Sequence, residues 1–425
     1  MRRLFLLCLV VLTFSVVHAQ AERAVVQDET AQAAWREDVQ YMAEQMPRRH
    51  PNLFWRVSEA DFNQAIADLD ADIPYLTDEQ IKVALVRIVA LIDGHTQIPL
   101  FQPAVDFHLY PIRFYAFTDG IYVVDARDPN ADAIGKRLVG IGNLDVEAAF
   151  EQVKTLAQYD NEYMRKLVTC FMFIIPENLH GLGITADLDQ PQFVVEDGDG
   201  TQTTLNFAPL TLDEYLEWGN GAFVTLPANP DVLYLSKQYQ EAFWYIYLED
   251  SQTLYIQYNE VVARTADGQS MSQFATSVID FVATTTPQRT VIDLRHNNGG
   301  DNHTYPPLLK LVTENPVINR PGKLFVLIGR ATLSAAVNFA TELETQVDPL
   351  FVGEPTGEPP NVYADARPLT LPNSGITVNI SSHYVQKSTA DDARLFITPD
   401  VAVELTAADY FAGRDPVLGA ALDYK

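Results

Sequence analysis

The sequence predicts an α/β protein, and three stretches of its 425 residues carry that reading. From about residue 226 onward, β-like runs alternate with helical stretches long enough to carry a chain back across a sheet. That pattern implies a largely parallel core sheet. Residues Thr30 to about Ile92 have helical periodicity, and Phe101 to Pro209 is a series of short β-like runs broken by turn residues. The expected organisation is a leader (1–19), a helical region (20–100), a β-rich region (101–225) and an α/β domain (226–425). A length of this order suits two to three domains.

Each element has its own signal. Met1, Arg2 and Arg3 precede an apolar run from Leu4 to Val17, and Val17 and Ala19 suit the −3 and −1 places of a cleavage site. The expectation is export to the periplasm or beyond, with no membrane attachment once the leader is gone. Cys8 leaves with it, so Cys170 stays alone in an apolar stretch and reads as a core residue. In the helical region Trp35, Val39, Met42 and Met46 recur at threes and fours. A second helix is expected over Ala60 to Leu69. Thr77 and Gln80 form a capping-box pair ahead of Ile81, Ala84, Leu85, Ile88 and Leu91.

Gly120 to Val124 and Arg137 to Gly142 read as strands. Phe193–Val195 and Thr203–Leu205 flank Asp197-Gly198-Asp199-Gly200, a hairpin turn rather than a calcium loop. Trp244–Leu248 and Thr253–Tyr258 form a hairpin. Then come a helix (Ser270–Thr284), a strand (Arg289–Leu294), a helix (Tyr305–Thr313) and a strand (Leu324–Ile328). A helix (Ser334–Glu344), a strand (Leu350–Gly353) and a β-rich stretch (Ala366–Gln386) complete the order.

Composition narrows the partners. There are 56 acidic against 29 basic side chains, a formal net charge of −27, which excludes a nucleic-acid backbone or an anionic membrane surface. Neutral or basic polypeptides are the easier substrates to admit.

Three segments have the residue types for chemistry. Ser334, in Thr332-Leu333-Ser334-Ala335-Ala336, stands where a strand stops and a helix starts. A serine there either caps the helix or faces a cleft at the strand ends. Asp293-Leu294-Arg295-His296-Asn297-Asn298-Gly299-Gly300 follows a strand, and paired glycines let backbone N–H groups approach a ligand oxygen. His95, in Asp93-Gly94-His95-Thr96, has the residue type of a general base. His296, Asp301 and His303 lack a usual zinc spacing, so neither metal nor cofactor is expected. No G-x-S-x-G elbow is present, which argues against an ordinary α/β-hydrolase.

In combination and order, D-G-H-T, D-L-R-x-N-x-G-G and the serine resemble the carboxy-terminal processing (tail-specific) and tricorn-like serine peptidases. Thr398-Pro399-Asp400-Val401 resembles the family's closing Pro-Asp motif. The resemblance implies a crotonase-like catalytic domain, with Gly120 to Val153 in the place of a PDZ-type module. Ile134 to Ile141 fits the carboxylate loop of such a module only loosely. The processing peptidases use a lysine base some two dozen residues after the serine. Here that neighbourhood reads Pro355-Thr356-Gly357-Glu358-Pro359-Pro360, and the only later lysines are Lys387 and Lys425.

The likeness therefore favours the tricorn-like branch. It implies Ser334 as nucleophile, His95 as base and Asp392 as supporting carboxylate, with Asp391 and Asp93 as rivals. The N–H groups of Ala335 and of Gly299 or Gly300 would form the oxyanion site, and Asp293 and Arg295 would brace the loop. A non-catalytic alternative on the same fold, resembling interphotoreceptor retinoid-binding protein, would bind a lipophilic or peptide ligand instead. The aromatic hairpin Trp244, Tyr245, Tyr247, Tyr255 and Tyr258 keeps it open.

Overall fold

The computed structural model describes residues 24–219, 226–238 and 240–425; the expected leader, residues 1–19, lies outside them. The chain begins with helices α1 (Glu29–Arg49), α2 (Glu59–Asp72) and α3 (Asp78–Val89). Their starts are fixed by side-chain caps: Asp28 for α1, Ser58 for α2 and the reciprocal Thr77–Gln80 box for α3. Trp35, Val39, Met42 and Met46 of α1 are buried, as their spacing predicts.

The middle region holds strands β1 (Ile112–Phe117), β2 (Gly120–Ala126), β3 (Arg137–Ile141) and β4 (Leu144–Asp145). Helices α4 (Val146–Val153), α5 (Glu162–Met172) and α6 (Pro176–Gly181) come next, then β5 (Phe193–Glu196), β6 (Gln202–Leu205) and α7 (Leu212–Gly219). The strands form an antiparallel sheet of order β1-β2-β3-β5-β6 with β4 beside β3. This region is more helical than the turn-punctuated sequence suggests. Asn161 caps α5 by accepting from Tyr163 N and Met164 N, and the helix buries Leu167, Val168, Cys170 and Met172. Cys170 is a core residue, and burial pushes its thiol up to about 11.

The last part contains β7 (Phe243–Leu248), β8 (Thr253–Tyr258), α8 (Met271–Thr285), β9 (Arg289–Asp293), α9 (Pro306–Glu314), β10 (Leu324–Ile328), α10 (Ala335–Val347) and β11 (Leu350–Gly353). Two hairpin pairs follow, β12 (Asn361–Ala364) with β15 (His383–Gln386) and β13 (Arg367–Thr370) with β14 (Thr377–Ile380). The chain continues through β16 (Val401–Ala402), α11 (Ala407–Phe411) and α12 (Pro416–Asp423). One six-stranded sheet, ordered β16-β11-β10-β9-β8-β7, is parallel except for β7.

Strand alternation sorts its side chains between two cores. Ile292, Leu324, Val326 and Ile328 face α8, α9 and α10; Tyr255, Val291, Phe325 and Leu327 face α12. The crossover helices thus cover one face, and the loops leaving β9, β10 and β11 emerge together at the carboxyl edge of the sheet, where ligands bind in such folds.

The β13–β14 hairpin does not stay with this sheet. Leu369, Leu371, Ile376, Val378 and Ile380 are buried in the same core as α1 to α3. Asp38 of α1 accepts from the N–H groups of Asn373 and Ser374, both at 2.8 Å. Gln97, two residues past His95, bridges to Asn379. The carboxyl-terminal half therefore reaches across and fastens the helical region.

The loop after β9 is anchored by charge. Arg295 is held between Asp293 (2.6 Å) and Asp415 (2.8 Å), and Tyr255 Oη donates to Asp293 Oδ2 at 2.7 Å. Burial alone would raise the Asp293 pKa, but Arg295 outweighs it and holds the carboxyl below its ordinary value. Its stabilising contribution is present above the unfolded-state value near 3.8 and is lost as pH falls through the lower folded value. Asp293→Asn should cost about 3–5 kcal/mol at neutral pH, because it leaves a buried guanidinium half paired. Its melting temperature should also fall less between pH 5 and pH 2 than that of wild type. Parallel melting curves for the two proteins across that range would refute the assignment.

Candidate active site

Three loops at the carboxyl edge of the parallel sheet supply the site, and the helical region supplies its fourth side. Ser334 ends the loop after β10 with φ +50° and ψ −124°, a left-handed and strained conformation, and its side chain makes no capping bond to α10. Capping is therefore not what this serine does. The turn is locked beneath it. Thr332 Oγ1 donates to Leu294 O at 2.9 Å, Gly329 N donates to Thr332 Oγ1, and Leu333 N donates to Asn297 O at 3.0 Å. The turn at Ser334 runs sharply from strand to helix, as a nucleophile elbow does, without the G-x-S-x-G sequence.

The glycine loop packs directly on that turn. Gly299 has φ +104°, and a Cβ there would lie 2.6 Å from Ser334 Cβ and 2.9 Å from Ala335 N. Only glycine permits this approach. The Gly299 N–H is used internally, donating to Asn297 Oδ1 at 2.9 Å, while Asn297 Nδ2 donates to Tyr258 O. Of the three expected oxyanion donors, Gly300 and Ala335 are the two whose N–H groups take no acceptor among the described residues. A cleft of about 720 Å³ opens beside Gly299 and Gly300 and runs past Asn298, Asn259 and Glu260. An apolar pocket of about 370 Å³ lies under Thr96 and Gln97.

His95 approaches from the other side. Its loop is held by Asp93, which accepts from His95 N (2.9 Å), Thr96 N (2.5 Å) and Ser381 Oγ (3.0 Å). The remaining oxygen of Asp93 meets His50 Nε2 at 2.7 Å, with both side chains fully buried. Asn52 N donates to His50 Nδ1, so Nε2 is the nitrogen whose N–H donates to Asp93. Burial would raise the Asp93 pKa; the His50 bond and the loop N–H groups reverse that and keep the carboxylate ionised.

The carboxylate beside His95 is Glu358, not Asp392. Glu358 Oε1 lies 3.2 Å from His95 Nε2, and Glu358 Oε2 accepts the Ser334 N–H at 2.6 Å. One carboxylate thus joins the serine turn to the histidine. Asp392 is held elsewhere: Arg394 grips both its oxygens at 2.8 to 3.2 Å, and Glu344 holds the other side of that guanidinium. Asp391 is likewise absent from the charges acting on His95, and Asp93 acts on its loop. Lys387 is bonded to Glu342 and Tyr305, so it is not a substitute base at the serine.

Asp160 was not singled out by sequence, yet it completes the cluster. Its Oδ1 accepts from Gly94 N at 3.2 Å, and its Oδ2 is buried. Burial, then Glu358 and Asp93, push its pKa up to about 7. For His95, burial alone would lower the pKa; Glu358 first, then Asp160 and Asp93, outweigh it and raise it to about 9. Among the described residues, His95, Asp160 and Glu358 are also placed to hold a metal, their ligand atoms lying within 4.8 Å of one another. His296 and His303 do not converge: His303 pairs with Asp301 at the surface, while His296 stacks on Tyr234.

The neighbour of Asp160 ties the two sides together. Asn161 Nδ2 donates to Thr356 O at 3.0 Å and to Leu395 O at 2.7 Å, in the loops that carry and flank Glu358. Glu358 itself had a legible signal, a charged residue between Gly357 and two prolines, 24 residues after Ser334.

Fold and geometry together define a class: a serine-centred site at the carboxyl edge of a parallel sheet whose crossover helices share one face. Within that class the chain is similar to CPAF. It matches mature CPAF complexed with lactacystin at a TM-score of 0.64 and 12% identity, covering 93% of this chain and 100% of that one. A serine-to-alanine variant of CPAF matches at 0.68 and 11% identity, covering 93% and 99%. The tricorn protease matches at 0.40 and 12% identity, over 91% of this chain and 36% of that one. At such identities the fold is what is shared with CPAF. No family profile and no curated protein sequence matches the chain.

Proposed function

We propose that the protein is an exported serine-type peptidase that cleaves polypeptides by acyl transfer, on a crotonase-like catalytic domain with a PDZ-like middle region. The observation that carries this reading is the Glu358 carboxylate, which joins the strained Ser334 turn to His95 beside two N–H groups without acceptors. In the mechanism Ser334 Oγ attacks the scissile carbonyl and His95, in the neutral form that its raised pKa makes more abundant as pH rises, takes its proton, then returns it to the leaving amine. Glu358 stabilises the imidazolium, and the N–H groups of Gly300 and Ala335 receive the tetrahedral oxyanion, each such donor contributing about 2.7–4 kcal/mol. Export rests on the leader pattern of residues 1–19.

A fluorophosphonate probe tests the nucleophile. Wild type should be labelled and Ser334→Ala should not, with the adduct on Ser334 by peptide mass mapping. Equal labelling of both proteins eliminates Ser334 as nucleophile. A wild type that stays unlabelled favours the ligand-binding alternative.

A further inference from the structure

The cluster around His95 has too much negative charge for its partners. Asp160 and Glu358 side chains are almost wholly buried, the residues being 3% and 2% exposed. Among the described residues Asp160 Oδ2 has no hydrogen-bond partner, and its Oδ1 has a single N–H at 3.2 Å. His95 Nε2 lies at ion-pair distance from Glu358 but off the line that a hydrogen bond needs. Buried carboxylates are ordinarily paired, protonated or bound to a cation.

The nearby Arg56 guanidinium feels the charge of Asp160 but gives neither carboxylate a hydrogen bond. Arg56 spends its donors on the carbonyls of Tyr159, Ala90 and Leu91 and stacks on Tyr159. Asp93 is already satisfied by His50, Ser381 and two N–H groups.

We infer that His95 Nε2, Asp160 and Glu358 form a site for one divalent transition-metal ion of the zinc type, held in the substrate-free protein. One imidazole nitrogen with two carboxylate oxygens is a donor set for zinc or its first-row neighbours; calcium and magnesium prefer all-oxygen sites. Bonds of about 2.0–2.2 Å place tetrahedral ligands about 3.4 Å apart, so the trio must draw in by roughly 1 Å. All three residues stand on loops or at a helix start, where so small a movement is available. Gly94 leaves the room: a Cβ there would meet Asp160 Oδ2 at 2.4 Å.

The ion would occupy the histidine lone pair that the peptidase reaction needs. Metal binding itself depends only on the trio; that the ion inhibits rests on the peptidase reading. The fourth position is left to water or to an incoming ligand oxygen.

The test uses the full mature chain, tag removed and stripped of metal with a chelator that is then dialysed away. Isothermal titration with zinc chloride should give one tight site in wild type and in Ser334→Ala. Asp160→Asn should weaken it by about tenfold or more, and His95→Ala should remove it. Circular dichroism of each variant checks that the fold is kept. Magnesium and calcium should not compete. A wild-type isotherm matching that of Asp160→Asn, or one carried by the exposed His303 and abolished by His303→Ala, overturns the site.

Fluorophosphonate labelling separates the two readings. Zinc, at a concentration that fills the wild-type site but not the weakened one, should slow labelling of wild type, reversibly with chelator, and should leave the rate of Asp160→Asn unaltered. Zinc binding that needs Asp160 in a protein the probe never labels would sink the peptidase reading and keep the metal site.

Discussion

Glu358→Gln should cut kcat/KM by about 10⁴-fold while the protein stays folded, the loss seen when a triad carboxylate becomes an amide. The amide oxygen can still accept the Ser334 N–H, which Glu358 now takes at 2.6 Å, so the serine turn keeps its main tether. What disappears is the charge 3.2 Å from His95 Nε2. That charge is the foremost influence raising the His95 pKa against burial, so the variant's ring becomes harder to protonate. On the proposed mechanism the imidazolium formed after proton transfer from Ser334 then loses its foremost counter-charge and keeps only the lesser influence of Asp160 and Asp93. Steady-state kinetics on a peptide substrate, with melting temperature alongside, decide the matter. Asp392→Asn in parallel should change little at the chemical step, because Arg394 holds that carboxylate away from the histidine. If Asp392→Asn were the crippled protein and Glu358→Gln the active one, the assignment would be reversed.

Gly299→Ala is the second large effect. Its new Cβ would sit 2.6 Å from Ser334 Cβ, 2.9 Å from Ala335 N and 3.1 Å from Leu333 O, all fixed atoms of the serine turn. Something must move, and displacement of a reacting group by about 1 Å typically costs about 100-fold. The positive φ adds strain of about 1–3 kcal/mol. Gly268→Ala separates the two causes: it also has positive φ, +92°, but its Cβ would meet nothing within 4 Å. Fluorophosphonate labelling should collapse in Gly299→Ala and persist in Gly268→Ala at comparable loss of melting temperature. Similar labelling in both would show that the glycine loop does not shape the serine.

Much of the carboxyl-terminal sheet was readable because local pattern and tertiary role coincide there. β8, β9, β10 and β11 are short apolar runs separated by amphipathic helices, and each expected boundary lies close to the observed one. The capping box at Thr77 and Gln80 was legible for the same reason, both partners being three residues apart. The middle region was harder. Its Val168 to Ile175 run is almost continuously apolar, because the last turn of α5 and the turn after it are mostly buried, and a continuous run has little period to read.

Ser334, His95 and the glycine loop became candidates because motif order survives in a single chain. Glu358 and Asp160 did not, since their meeting with His95 spans sequence separations that no local pattern encodes. The position of Asp392 in the family order misled for a physical reason. Arg394 lies two residues away and captures that carboxylate before any histidine can.

The Asn161 cross-link and the β13–β14 hairpin bear on how the protein comes into being. His95 and Asp160 belong to the part of the chain that leaves the ribosome first, whereas Glu358, Thr356 and Leu395 are translated much later. The core around α1 to α3 likewise stays open until Leu369 to Ile380 arrive to fill it. Early segments must therefore wait, partly unsealed, for late ones, which makes folding non-local and slow. The same delay times the site: a nascent chain that has no Glu358 cannot join its serine to its histidine, so the proposed peptidase centre stays incomplete until synthesis is nearly over.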